Sequence, residues 1–307
     1  MAKKKTEDSG VSGWLAIDKP LGLSSFQVVA KVRRALGTRK VGHGGTLDPL
    51  ASGILPIAVG EATKTVAYAM DGRKTYRFAV QWGESRNTDD AEGEVTGTSP
   101  VRPDPDAIRA ALPAFVGELT QVPPAFSAIK IGGMRSYKLA RAGEAPDLAA
   151  RSVTVTRLEL LEALPDMARF EVDCGKGLYV RALGRDLAKA LGTLGFIAEL
   201  RRTRVGPFSE KTAISLAKLE ALGHSAAALE TLLPIETVLD DIPALALSDT
   251  DAARLRLGQP VQVLSTGSPA SRLPEDGAIA LATANGKPVA LARFERGVLR
   301  PVRVLNL

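Results

Sequence analysis

One short segment concentrates the residues able to do chemistry. "GHGGTLDPLASG", residues 42 to 53, holds a single carboxylate, Asp48, and a single histidine, His43, with no cysteine, lysine or second acid. Gly42, Gly44, Gly45 and Pro49 shape it as a constrained loop rather than a regular element. A Walker phosphate cradle is excluded, because no Lys-Ser/Thr follows the glycines. A Ser-His-Asp hydrolase is excluded too, since no Gly-x-Ser-x-Gly elbow occurs and His43 and His224 lie in unlike contexts. Glycoside cleavage needs a second essential carboxylate. Asp18, Asp89, Asp90 and Asp173 are available, but none sits in a comparably shaped loop. What remains is chemistry needing one carboxylate, set against the default reading of an Asp before Pro as a turn or helix cap.

The flanking elements must hold that loop. "GWLAIDKPLG" predicts a short apolar strand ending in a Lys-Pro turn. "SSFQVVAKVRRALG" predicts a helix with Ser24 or Ser25 as N-cap, Val28, Val32, Ala35 and Leu36 on one face and Gly37 as stop. "EATKTVAYAM" reads as helical. "KTYRFAVQWG" alternates, with Tyr76, Phe78, Val80 and Trp82 on one side and Arg77, Ala79 and Gln81 on the other, which predicts a strand with one buried face. "NTDDAEGEV" reads as a turn-rich link and "DPDAIRAALPAFVG" as a short helix. Residues 121 to 150 break the rhythm with a Pro-Pro pair, a Gly-Gly turn and a basic helix, and read as an excursion from the sheet. "RSVTVTRLELLE" and "ARFEVDC" return to strand periodicity. "GKGLYVRALGRDLAKALG" predicts a helix with Val180, Leu183, Leu187 and Leu191 inward, and "AELRRTRVGPF" a basic strand. A seam falls near 235 to 243. Beyond it lie a capped helix ending at Gly258 and three strands, with Asn285-Gly286 a hairpin turn.

The chain has 307 residues, 45% of them hydrophobic, enough for a substantial core and for two domains. Forty basic against thirty-four acidic residues leave +6, so the position of the charge matters more than its total. Cys174 is the sole cysteine, which rules out an intramolecular disulfide, and with two histidines no His/Cys zinc cage can form. The basic start "MAKKKTEDSG" has no apolar region behind it and is not a secretory signal. "LASGILPIAVG" falls far short of the roughly 20 residues a spanning helix needs. A soluble, cytoplasmic protein is expected.

"LAIDKPLGLSS" followed by "GHGGTLDPLASGILPIAVGEATK" resembles the TruB-type pseudouridine synthases. The match continues in "KTYRF" at 74–78, "GKGLYVRALGRDL" at 175–187 and "ELRRTRVGPF" at 199–208, in order and covering most of residues 12 to 236. The tail with "LSDTDAARLRLGQPV" is similar to the small PUA-like RNA-binding domain that ends bacterial members. The resemblance implies an α+β fold: a mixed, largely antiparallel sheet flanked by helices, then a small β-rich C-terminal domain. The expected organisation is a tail at 1–11, a catalytic domain at 12–236 with an RNA-binding insertion at about 121–150, and a PUA-like domain at 241–307.

The activity implied is isomerisation of the uridine at position 55 in the T-loop of tRNA, by base flipping and an essential aspartate, with neither metal nor organic cofactor. The resemblance makes Asp48 that aspartate, acting covalently on base or sugar or removing a ribose proton. Arg181 becomes its ion-pair partner, which a buried carboxylate would need in order to stay charged. Tyr76 is implied as the stacking platform, its hydroxyl placed to handle the C5 proton. Tyr179 and Leu200 become base-pocket contacts, and His43 fills the space the flipped base leaves. Lys19 and Pro20 read as support for the loop. Lys64, Lys74, Arg135, Lys138, Arg141, Arg201 and Arg202 are candidate contacts to the RNA backbone. The partner expected is the tRNA T-arm, bound by a monomer with no obligate protein partner and no membrane. The rival readings are a tRNA-folding chaperone using the same cleft and the RNA-guided branch of the family, which the lack of a long Lys-rich extension disfavours.

Overall fold

The computed structural model describes residues 10–127, 129–144, 147–263 and 273–307; most of the tail expected at 1–11 lies outside them. Its frame is a ten-stranded sheet. The main path runs Ile214–Ser215, Gly13–Lys19, Ala51–Val59, Gly195–Val205, Lys74–Trp82, Met167–Cys174, Arg151–Ala163 and Gly117–Gln121. Neighbours along that path are antiparallel at all but two junctions, where Ile214–Ser215 meets Gly13–Lys19 and where Ala51–Val59 meets Gly195–Val205. The α+β expectation therefore holds.

The second parallel junction positions the loop. Leu200 pairs with Ala51 and Arg202 with Gly53, so the loop that enters the strand at Ala51 comes in beside Leu200, midway along Gly195–Val205. The strands approach so closely that a Cβ on Gly53 (φ +100°) would stand 2.2 Å from the Arg202 carbonyl oxygen. Only glycine tolerates both that φ and that contact.

Alternation in Lys74–Trp82 gives the buried side its Tyr76, Phe78, Val80 and Trp82, with the Phe78 and Phe170 rings stacked 5.3 Å apart. Ala79 is buried as well, so the second face of this central strand is partly covered, unlike the one-faced strand expected. The helix Val180–Ala190 packs on the sheet through Leu183 and Leu187. A Cβ on its Gly184 would meet Ile197 Cδ1 at 2.5 Å, so that glycine sets how near the helix can lie. The helix Ser25–Ala35 is closed at its start by a reciprocal Ser24–Gln27 capping box.

"EATKTVAYAM" forms a 3₁₀ turn, Gly60–Thr65, leading into the helix Val66–Asp71. The link at 87–94 is the connection of a small hairpin, Glu84–Arg86 with Val95–Thr98, rather than a bare turn. The excursion at 121–150 carries a second hairpin, Lys130–Ile131 with Met134–Arg135, and the helix Ser136–Arg141.

A five-stranded sheet follows the seam, adding the short strands Ala244–Ala246 and Val261–Gln262 to the three expected. Asn285 and Gly286 both take positive φ (50° and 73°), as the hairpin turn requires. Leu281, Leu291 and Leu305 of this sheet pack with Trp14, Ile54 and Phe208 of the large one, giving the two a shared apolar core.

Candidate active site

Two buried cations build the loop. Arg202, 1% exposed, donates from Nε to the Ile54 carbonyl at 2.8 Å and from its Nη atoms to Thr46 and Gly45 at 3.2 and 3.1 Å. Lys19, fully buried, donates to the carbonyls of Pro20, Leu23 and Pro49 at 3.0, 2.7 and 3.3 Å. Burial, partly offset by Asp48 and reinforced by Arg202, lowers the Lys19 ammonium to about 8. Ser25 completes the frame, its hydroxyl donating to the Leu47 carbonyl at 2.9 Å and accepting from the Leu47 N–H at 2.8 Å. Bent backbone exposes carbonyls that no regular ladder satisfies, and these side chains supply the missing donors.

Asp48 is thereby freed from the capping role. None of the hydrogen bonds found among the described residues uses its carboxylate to cap a backbone N–H, although its own carbonyl accepts from Ala51 at 3.0 Å. The carboxylate is 41% exposed and faces Arg181, whose Nη2 lies 2.9 Å from Asp48 Oδ2. The expected pair is present, but the arginine rather than the acid is its buried member. Arg181 also donates to the carbonyls of Thr88 and Phe126, both at 2.9 Å, and approaches Asp90 Oδ2 at 3.5 Å. Its guanidinium is thus fixed by the 84–98 hairpin and the excursion before it meets Asp48.

A cavity of about 330 Å³ opens beside this pair, lined by Asp48, Arg181, Tyr76, Tyr179, Leu200 and Lys74 among others. Tyr76 pairs with Val172 on one side and Arg202 on the other, which sets its ring in the pocket wall. Burial raises its phenol against the opposing pull of Arg202. Tyr179 stands at the head of the Val180–Ala190 helix, its N–H donating to Gln121 Oε1 at 2.9 Å. Burial raises its phenol as well, with Arg151 opposing. His43 lines a second, larger cavity of about 950 Å³ that Asp48 and Arg181 share. Burial and then Arg202 lower its imidazole, and its Nδ1 is buried without a hydrogen-bond partner.

The proposed backbone contacts divide. Arg135 and Arg141 line the larger cavity and Lys138 is exposed on the same short helix as Arg141. Arg202 is removed from the set by its burial and its loop carbonyls. Lys74, 8% exposed, gives its ammonium to Met70 and Gly72 carbonyls, both at 2.7 Å, and belongs to the wall of the smaller cavity. Lys64 binds Glu61 at 2.6 Å and the Val304 carbonyl at 2.6 Å, tying the two sheets together. Arg201 is neutralised by a two-pronged pair with Asp18, 3.0 Å each, and by Glu210 at 2.7 Å.

The sequence does not single out Thr88 and Asp90 as partners of Arg181. The "NTDD" run carries turn residues, and nothing local in it signals a contact with residue 181.

Residues 33–180 match the family model described as TruB family pseudouridylate synthase, N-terminal domain. Residues 181–240 match tRNA pseudouridylate synthase B C-terminal domain, and 243–305 match Pseudouridine synthase II TruB, C-terminal. Proteins named tRNA pseudouridine synthase B from Rhodospirillum rubrum and Caulobacter vibrioides are 53% and 52% identical, covering 99% and 100% of both chains respectively. A solved chain from an archaeal box H/ACA sRNP complex shares the fold, with TM-score 0.72 and 24% identity over 99% of this chain and 94% of that one.

Proposed function

The chain belongs to the TruB family of pseudouridylate synthases, and from that premise we propose that its 330 Å³ cavity isomerises the uridine at position 55 of the tRNA T-loop. The protein is an isomerase acting on tRNA. The N1–C1′ bond breaks, the uracil turns, and C5 bonds to C1′; C5 gives up its proton and N1 gains one, directly or by exchange with solvent, so nothing is oxidised and no group leaves. Such chemistry asks for one carboxylate at the sugar, one surface for the detached base, and exclusion of water.

Asp48 supplies the carboxylate, as nucleophile or as base, and Arg181 holds it at the cavity mouth. Tyr76 is the face on which the extruded uracil stacks. Stacking recovers roughly 1–3 kcal/mol of the few kcal/mol that extrusion costs. With its phenol raised by burial, Tyr76 keeps its proton across the neutral range and has a hydroxyl beside the base. Tyr179 and Leu200 close the pocket with one polar-tipped and one apolar contact. His43 enters the gap left in the RNA stack; lowered by burial, it does so as a neutral ring. Arg135, Lys138 and Arg141 meet RNA phosphates along the larger cavity.

The juxtaposition of Asp48 with Arg181 at 2.9 Å, on the rim of a pocket walled by Tyr76, carries this reading. A capping aspartate has no use for a buried arginine locked by two carbonyls. The chain works as a monomer without an obligate protein partner, in the cytoplasm; among the described residues no helix is long and apolar enough to cross a membrane. Residues 12–236 act as the catalytic unit and 241–307 as the small RNA-binding unit. Incubating unmodified tRNA with the purified protein and mapping pseudouridine by carbodiimide-primer extension tests the function. A stop one nucleotide 3′ of T-loop position 55 supports it, and unchanged tRNA refutes it.

A further inference from the structure

Phe26 has no role in the fold. The Ser25–Ala35 helix buries Val28, Val29, Val32 and Ala35, while the Phe26 ring on its first turn is 75% exposed. Yet the two residues before it are both anchored. Ser24 before it carries the capping box, with Ser24 N–H to Gln27 Oε1 at 2.8 Å, and Ser25 is bonded both ways to Leu47, the neighbour of Asp48. A rigidly mounted, outward-facing aromatic ring meets the requirement for low-entropy stacking.

The ring stands on the same 950 Å³ cavity as Asp48, His43, Arg135, Tyr137 and Arg141. Arg135 and Arg141 carry no salt bridge among the described residues, whereas Arg157, Arg169, Arg185 and Arg201 are all paired. An apolar flat face on one side and guanidiniums without a carboxylate partner among the described residues, that of Arg141 lying over the Tyr137 ring at 5.7 Å, fit a nucleotide: a π-surface for the ring, a phosphate for the cations. The uracil itself is already provided for by Tyr76 in the smaller cavity.

We propose that Phe26 is a second stacking platform, taking the base of a nucleotide that flanks the isomerised uridine, with that nucleotide's phosphate facing Arg135 and Arg141. The inference rests on the cleft being the T-loop site and adds a second recognised nucleotide to it. Extrusion of one base leaves two neighbours without a stacking partner; His43 enters the gap beside one of them, and Phe26 takes the other. Binding therefore improves while the chemical step does not change.

The test uses the full chain and a T-arm stem-loop carrying 2-aminopurine immediately 5′ or immediately 3′ of the target. Phe26→Ala is compared with the parent and with Phe26→Trp. The expected result is a brighter Phe26→Ala complex at one of the two positions, reporting loss of a stacked aromatic. On unlabelled stem-loop, KM rises about tenfold, the scale of one base–aromatic stack, kcat stays within about twofold, and Phe26→Trp restores both KM and quenching. Equal brightness at both positions, or a parental KM in Phe26→Ala, overturns the proposal. Because the side chain is exposed, its loss leaves the melting temperature unchanged; a KM effect that appears only with a fall in melting temperature also overturns it. Failure of the functional reading is distinguishable, since the parent itself would then leave the stem-loop unmodified.

Discussion

Arg181 holds Asp48 from inside the protein: its guanidinium is 6% exposed, while the carboxylate 2.9 Å away is 41% exposed. The Thr88 and Phe126 carbonyls fix the arginine from behind, so the acid is presented outward on a cation that cannot follow it. Arg181→Lys keeps the charge but can satisfy only part of this fork. Loss of about 2–4 kcal/mol is expected, or roughly 30- to 1000-fold in rate. Single-turnover measurement at saturating stem-loop checks it, and a parental rate would show that the fork is not needed.

Tyr76 separates stacking from proton handling. Tyr76→Phe keeps the ring, so affinity for the stem-loop should stay within about twofold while turnover falls on the order of 10²-fold, the scale of one acid–base group. Tyr76→Ala loses both, with roughly 1–3 kcal/mol of binding gone. Equilibrium binding measured beside turnover distinguishes the two; full activity in Tyr76→Phe would leave the hydroxyl without a part in the reaction.

Arg202 and Arg141 differ in kind although both are basic residues near the cleft. Arg202→Met strands the loop carbonyls of Gly45 and Thr46 and the strand carbonyl of Ile54, each worth about 1–3 kcal/mol when left buried and unpaired, so the melting temperature should drop sharply. Arg141→Ala should leave stability untouched and lower the slope of log affinity against log salt by about 1. Thermal melts and salt titrations of RNA binding on both variants provide the comparison.

Glu61, in the 3₁₀ turn after Ala51–Val59, ties down the chain just past the last strand, accepting from Lys40, from Lys64 at 2.6 Å and from the Asn306 N–H at 2.9 Å. Burial pushes its carboxyl up, but the Asn306 N–H and the two ammoniums outweigh it and hold it at about 2. A carboxyl lowered on folding binds its proton more readily in the unfolded chain, so its stabilisation is complete above about pH 4.5 and fades as pH falls through about 2. The melting-temperature gap between parent and Glu61→Gln should be constant from pH 7 to about 5 and close at lower pH. A gap independent of pH would mean that the carboxylate charge is not what holds that segment.

The elements that position the site were legible because each carried a local signal. Alternation announced Lys74–Trp82, a capping serine announced Ser25–Ala35, and Asn285-Gly286 announced its hairpin. The direction of the cations was not legible. Arg201 and Arg202 are adjacent on one strand and so point to opposite faces: one meets Asp18 and Glu210 outside, the other disappears beneath the loop. Charge in a sequence shows neither face nor partner, which is why Lys64, Lys74 and Arg202 read as RNA contacts when their hydrogen bonds brace the protein itself. The backing of Arg181 was hidden for a related reason, since Thr88 and Asp90 reach it across more than ninety residues of chain.

Replacing Asp48 by Asn tests the central claim most directly. The amide has nearly the shape of the carboxylate and leaves Lys19, Arg202 and Ser25 to hold the loop, so the fold and the cavity persist. With a T-arm stem-loop, Asp48→Asn should bind RNA within a few-fold of the parent and form no detectable pseudouridine in a single-turnover assay run to many parental half-lives. Turnover at a parental rate in that variant would contradict the account.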